Sequence, residues 1–199
     1  MCFHTKQSKE AVKLEKEYNA KFLNKDIFIP SNYYNGFTFP KTPIITNENT
    51  SSIQMINWGL VPNWANSDWD KKHTLNARVE TIDERPSFKY ITDNRCIVIV
   101  DGFFEWQHRG SQKIKYEIGF NNELFAFAGL YDINDNYKSY TIITTEAKGI
   151  MRKIHNTKLR MPLALKTTAQ IRNWLDGNDE EGAFDFTTVP LDTIQPTLF

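Results

Sequence analysis

The chain has 199 residues, 40% of them apolar and 14% aromatic, and its 24 basic and 24 acidic side chains cancel to a net charge of zero. That composition excludes a disordered chain, and the neutral total argues against a protein held on nucleic acid by bulk charge. The longest apolar runs, such as Cys96–Val100, fall well short of the ~18 residues of a membrane span, and two cysteines are too few for a disulfide framework or a cysteine-rich zinc site.

Met1–Glu17 contains no hydrophobic segment, so no secretory signal is expected, and the reducing cytoplasm is the expected compartment. Ala11, Leu14, Tyr18 and Phe22 share a stripe near the 3.6-residue period, which predicts an amphipathic helix. Residues 24–41, rich in Asn, Tyr, Gly and Pro, read as loop. Strand-like runs follow at Pro43–Thr46, Ile53–Trp58, Cys96–Asp101, Ile114–Phe120, Leu124–Leu130 and Tyr140–Thr145. Asn121 and Asn122 predict a hairpin turn between two of these. A helix is expected over Glu146–Ile154. Another runs to Leu175 from Thr167, whose hydroxyl caps it while Gln170 reaches back, and Gly177 stops it. No linker separates two domains. The expectation is one α+β domain over residues 1–199, with a curved, mostly antiparallel sheet and peripheral helices.

Charge is unevenly distributed. Ala147–Leu175 carries Lys148, Arg152, Lys153, Lys158, Arg160, Lys166 and Arg172 and no acid, and Asp176–Asp185 is acidic. The basic stretch reads as a face for a polyanion or as a polarised surface.

Several residues carry chemistry. Cys2 becomes the terminal residue if Met1 is removed, and then offers an amine and a thiol on adjacent carbons. With pKa values near ~8 and ~8.5, both are available as nucleophiles. The amine condenses with an aldehyde to a Schiff base, and the thiol closes on that imine to a thiazolidine. Glu105 follows an apolar strand and stands among Phe103, Phe104 and Trp106, which predicts a raised pKa and a general acid–base role. His155 is a proton carrier near neutrality. Asn76 and Arg78 combine an amide with a guanidinium suited to phosphate. Trp64 and Trp69 offer faces on which single-stranded bases stack. There is no GxGxxG, P-loop, HExxH or GxSxG motif, and His4, His73, His108 and His155 lack metal-ligand spacing. Neither a metal nor a cofactor is expected.

Taken together, Met1-Cys2, Trp58-Gly59-Leu60-Val61-Pro62, Asn76-Ala77-Arg78-Val79-Glu80-Thr81, Asp101-Gly102-Phe103-Phe104-Glu105-Trp106, and His155 followed by Arg160-Met161-Pro162-Leu163 resemble the SRAP (SOS response-associated peptidase) family. The resemblance spans residues 1–165. It implies a barrel-like α+β domain that crosslinks to ring-opened abasic sites in single-stranded DNA through a thiazolidine on Cys2, with Met1 removed first. It implies that Asn76 orients the intermediate, that Glu105 moves protons, and that His155 protonates the opened sugar. Arg78 and Arg160 would contact DNA, and Trp64 would stack on a base or wedge the strand. His4 stands where the family has a phosphate-binding arginine. Ala65 replaces the second of two adjacent tryptophans, and Trp69, after a short insertion, would restore that ring. The partner implied is abasic single-stranded DNA, bound by a monomer, with no membrane. Two other classes fit parts of the pattern. One is an N-terminal-cysteine amidohydrolase of the class II glutaminase kind, and the other is a non-covalent single-strand-binding module with an inert Cys2.

Overall fold

An apolar run without alternation, such as Cys96–Val100, needs cover on both faces. In the computed structural model, which describes residues 2–66, 68–135 and 137–191, that need sets the architecture. The elements in chain order are β1 (His4–Gln7), α1 (Ala11–Tyr18), β2 (Lys21–Phe22), β3 (Ser31–Asn35), β4 (Lys41–Thr46), β5 (Asn49–Trp58), β6 (Asn76–Arg78), β7 (Arg95–Val100), β8 (Gly102–Arg109), β9 (Gln112–Gly119), β10 (Phe125–Asn134), β11 (Tyr137–Glu146), α2 (Met151–Ile154), β12 (Arg160–Pro162), β13 (Ala164–Leu165), α3 (Thr168–Leu175) and β14 (Thr187–Pro190). Short 3₁₀ turns join several of them.

Strands β11, β10, β7, β4 and β5 are neighbours in that order, each antiparallel to the next. β5 then meets β11, with Asn57 beside Ser139 and Trp58 beside Tyr140, and the ring closes. Five strands that alternate in direction leave one parallel pair at closure, and β5–β11 is that pair. β2, β6, β12 and β13 pair onto ring strands, and a second antiparallel sheet runs β14-β9-β8-β1-β3. Gly59 ends β5 at φ +106°, where an added Cβ would lie 2.9 Å from the Phe39 ring, so the turn after Trp58 requires glycine.

Successive residues of β7 serve two cores. Cys96, Val98 and Val100 pack with Trp58, Phe127 and Tyr140, and Cys2, Phe103 and Ile118 join the same cluster from the second sheet's side. Ile97 and Ile99 pack the other way, with Leu14 of α1 and Trp174 and Leu175 of α3. Each such buried side chain contributes about 1.5–3 kcal/mol, which is why this strand reads as continuous apolar sequence.

The α+β class and the mostly antiparallel pairing match expectation, but several boundaries differ. The first helix stops at Tyr18 because Asn19 adopts the left-handed conformation, φ 48° and ψ 43°. Phe22 lies in β2 beside Ile53, not on the helix stripe. The stretch 24–41 holds β3, a strand without apolar alternation because it pairs only at a sheet edge. β1 and β8 also lie outside the expected strands. Asn121 and Asn122 are both left-handed, φ 52° and 61°, as a tight turn requires. They nevertheless connect β9 to β10 in different sheets, so the expected hairpin is absent. Glu146 completes β11, and left-handed Gly149 keeps α2 to Met151–Ile154. α3 matches: Thr167 accepts from Gln170 N at 3.2 Å, and Gln170 Oε1 accepts from Thr167 N at 3.1 Å. Among the described residues no helix is long and apolar enough to cross a membrane.

Candidate functional site

The start of the chain is fixed by β1, which pairs His4 with Asn35 on one side and Thr5 with Phe103 on the other. That pairing sets Cys2 at the inner cluster, fully buried. Its Sγ lies 3.8 Å from the carbonyl of His4. Burial first, then the nearby Glu105 carboxylate, push the thiol well above its ordinary pKa.

Asn76 reaches Cys2 from β6, a strand held parallel to β11 by its pairing with Ile142. Its Nδ2 donates to the Cys2 carbonyl at 2.9 Å. Its Oδ1 is buried and accepts no hydrogen bond from the described residues.

Glu105 stands on β8, two residues from Phe103 and on the same side of the strand. Phe104 and Trp106 alternate to the other side, where Lys115 Nζ lies 4.5 Å and 5.6 Å from their ring centroids. The sequence neighbours therefore do not all surround the carboxyl. Burial still raises its pKa, to about 7. His155 caps α2 and presents Nε2 3.8 Å from Glu105 Oε2. Burial lowers the imidazole to about 4, so near pH 7 the ring is neutral and the approach is not an ion pair. Nδ1 lies 2.8 Å from the Arg160 carbonyl and 3.1 Å from the Arg160 amide. It donates to the first in one tautomer and accepts from the second in the other, and because burial holds the ring neutral, His155 is not the proton carrier near neutrality that the sequence predicts.

The turn after His155 is clamped to β8. Asn156 Nδ2 donates to the His108 carbonyl at 2.8 Å, and Asn156 Oδ1 accepts from the His108 amide at 3.1 Å. Gln107 Nε2 donates to the Lys153 carbonyl at 2.9 Å. Neither Asn156 nor Gln107 announces itself in the sequence, because each acts through backbone groups brought close only by the fold.

The expected DNA contacts divide. Trp64, 51% exposed, meets Trp69 edge to face with ring centroids 5.3 Å apart. Trp69 Nε1 donates to the Leu60 carbonyl at 3.1 Å, which fixes its ring. Both line a groove with Asn76, exposed Arg78 and Arg85, the last with no signal in the sequence. His4 is half-buried and stacked on Tyr33 at 5.1 Å, and its pKa is lowered by burial and by Lys115. It does not present a charge as an arginine would. Arg160 turns inward: Nη1 and Nη2 each donate to Glu80 at 2.8 Å, and Nη2 also donates to the Thr144 carbonyl at 2.6 Å. Its guanidinium braces β12 rather than facing solvent.

The basic stretch is free only in part. Lys148 pairs with Glu181, Arg152 with Glu146, Arg160 with Glu80 and Lys166 with Asp185. These acids come from outside the stretch, so folding pairs four of its seven cations and leaves Lys153, Lys158 and Arg172 exposed. A second groove, lined by Phe3, His4, Glu105, Trp106, His108, Lys113, His155 and Thr157, opens onto the Glu105–His155 pair.

The chain is similar to named proteins. The abasic site processing protein YoaM of Bacillus subtilis is 37% identical over 141 residues, covering 67% of this chain and 60% of that protein. YoqW of Bacillus subtilis, also an abasic site processing protein, is 36% identical, covering 77% of this chain and 73% of that one. The abasic site processing protein HMCES of Xenopus tropicalis is 32% identical, and the match spans 62% of this chain and 45% of that one. A crystal structure of a Bacteroides thetaiotaomicron protein superposes with a TM-score of 0.86 at 35% identity, covering 96% of this chain and 92% of that one. Residues 1–194 match the sequence model of the SOS response associated peptidase (SRAP) family, and the chain belongs to that family.

Proposed function

We propose that this protein processes abasic sites in single-stranded DNA, capturing the ring-opened sugar on Cys2 once Met1 is removed. The observation that carries this reading is the meeting at Cys2 of Asn76 with the buried Glu105 carboxyl, which His155 flanks. Relatives named abasic site processing proteins support the substrate class. Met1 itself lies outside the described residues.

The chemistry follows from the groups present. The Cys2 amine attacks C1′ of the sugar aldehyde and forms a carbinolamine. Its hydroxyl leaves as water with a proton from Glu105, and the C=N bond remains. The thiol then adds to that carbon, its proton passing through the Glu105 carboxylate to the nitrogen. One water is lost in all. A carboxyl near pKa 7 suits both transfers, since comparable fractions of acid and base are present at working pH. A buried thiol is a poor thiolate by itself, so it needs that base. Asn76 fixes the Cys2 backbone and leaves Oδ1 for a hydroxyl of the opened sugar.

Intact mass tests the reading. Incubation with abasic single-stranded DNA should convert a Met1-less protein to protein plus DNA minus one water. Cys2→Ala should give no stable adduct, while Cys2→Ser should give only an imine trapped by borohydride. A heat-stable adduct of full yield with Cys2→Ala would overturn it.

A further inference from the structure

Two successive carbonyls at the start of the chain are each held by a donor. Asn76 Nδ2 donates to the Cys2 carbonyl at 2.9 Å, and the Gly36 amide donates to the Phe3 carbonyl at 2.8 Å. The donors come from different parts of the fold, β6 and the turn that follows β3. One side chain touches the backbone behind both. Trp58, the last residue of β5, is fully buried, and its Nε1 donates at 2.9 Å to the carbonyl of Leu75, the residue before Asn76. The six-membered ring of the same indole closes on Gly36. A Cβ added there would lie 3.1 Å from Trp58 Cη2 and 3.2 Å from the Phe3 carbonyl oxygen, so only glycine fits without a shift.

The indole is itself held. It stacks on Tyr140 with planes 13° apart, and the Tyr140 hydroxyl shares a 2.7 Å hydrogen bond with Thr42 Oγ1. Trp58 N donates to the Pro40 carbonyl at 2.9 Å, and Gly59 N to the Tyr140 carbonyl at 3.0 Å. A buried indole needs an acceptor for its N–H. The acceptor here has another donor, because the Leu75 carbonyl also receives the Ile142 amide at 3.2 Å. The pairing of β6 with β11 therefore does not depend on the indole. What the indole adds is a tie between the strand that carries Asn76 and the turn that holds Phe3.

Building on the function proposed above, we propose that Trp58 is a positioning residue for the reaction at Cys2. It acts through Leu75 on Asn76 and through Gly36 on Phe3. By holding the backbone on which the Cys2 amine and thiol stand, it sets them against the Glu105 carboxyl. Attack geometry tolerates little drift, since about 1 Å of misplacement costs on the order of 10²-fold in rate.

The test is single-turnover capture of abasic single-stranded DNA at saturating DNA. Trp58→Phe keeps a ring in the core and deletes the Nε1 donor. Its rate constant should fall about fivefold or more, with the final yield of adduct and the half-saturating DNA concentration unchanged. A merely structural role gives the reverse, a lower yield formed at the wild-type rate constant, and that result overturns the proposal. Trp58→Phe combined with Asn76→Ala should lose less than the product of the two single losses, because the Nε1 bond acts through Asn76; a full product overturns it. Should Trp58→Phe not fold, Gly36→Ala tests the other arm. Its Cβ presses on the indole and on Phe3, so capture should slow at full yield, and wild-type kinetics overturn the proposal. A wild-type protein that captures no abasic DNA sinks the abasic reading and not the tie. Hydrogen exchange of the Asn76 side-chain amide, read by NMR, should still be faster in Trp58→Phe than in wild type, and equal exchange overturns the positioning.

Discussion

The Nδ2 of Asn76 donates to the carbonyl of Cys2 at 2.9 Å, across 74 positions of sequence. That bond joins the first residues of the chain to a strand paired parallel with β11, so the orientation of Cys2 depends on the ring closing correctly.

Asn76→Ala should leave the fold intact and slow adduct formation. The bond itself contributes about 0.5–1.5 kcal/mol. Misplacing a nucleophile by about 1 Å costs on the order of 10²-fold in rate. We expect a rate loss of about 10- to 100-fold, read by single-turnover gel assay, with a melting temperature within a few degrees of wild type. Wild-type kinetics would remove Asn76 from the chemistry.

Glu105 and His155 make opposing contributions to stability against pH. Glu105 rises from 4.5 to about 7 on folding, so the folded state binds the extra proton and stability falls as pH rises through that window. His155 drops from 6.5 to about 4, so the folded state binds fewer protons and stability is lost as pH falls through that window. The two slopes offset each other in the wild type. Glu105→Gln should expose the histidine slope, with stability climbing from pH 4 to 6.5, and His155→Gln should expose the reverse between pH 4.5 and 7. Urea titrations at half-unit pH steps measure both, and parallel curves for all three proteins would contradict the assignment.

Glu105→Gln should also slow crosslink reversal. Loss of one proton-transfer role typically costs ~10²–10⁴-fold. A labelled adduct chased with excess abasic competitor reads the exchange, and wild-type exchange would remove Glu105 from the reversal.

The two indoles should separate binding from stability. Trp64→Ala removes a half-exposed ring and should weaken single-strand affinity with little change in melting temperature. Trp69→Ala should lose both, because its Nε1 is bonded to the Leu60 carbonyl. Duplex should bind more weakly than single strand, since stacking needs exposed bases. With Arg78 and Arg85 as phosphate contacts, log K against log salt should slope about −1.4.

Arg160→Ala should act on stability. It strands Glu80 and empties the space beside the Thr144 carbonyl, and breaking a largely buried pair costs about 3–5 kcal/mol, less here because Glu80 is half exposed. Thermal melting should show a fall of several degrees that Arg160→Lys does not restore, since lysine lacks the bidentate fork.

The sequence by itself determined the elements whose signal is local. The capping pair Thr167 and Gln170 defined α3, and the apolar run at Cys96–Val100 defined a strand, whose cover on both faces the structure supplies. It also singled out Cys2, Asn76, Glu105 and His155 as candidates, because the segments that carry them resemble the SRAP family in order and spacing, each being modest alone. Tertiary structure decided what depends on partners far along the chain. β3 and β8 form through pairing rather than alternation. Four of the seven cations in the acid-free stretch 147–175 pair with Glu80, Glu146, Glu181 and Asp185. Arg160 turns inward for the same reason, since a guanidinium goes where two carboxylate oxygens and a carbonyl converge. Glu105 and His155 become a pair only because Asn156 and Gln107 clamp their segments together through backbone groups, which every residue possesses and no sequence pattern marks.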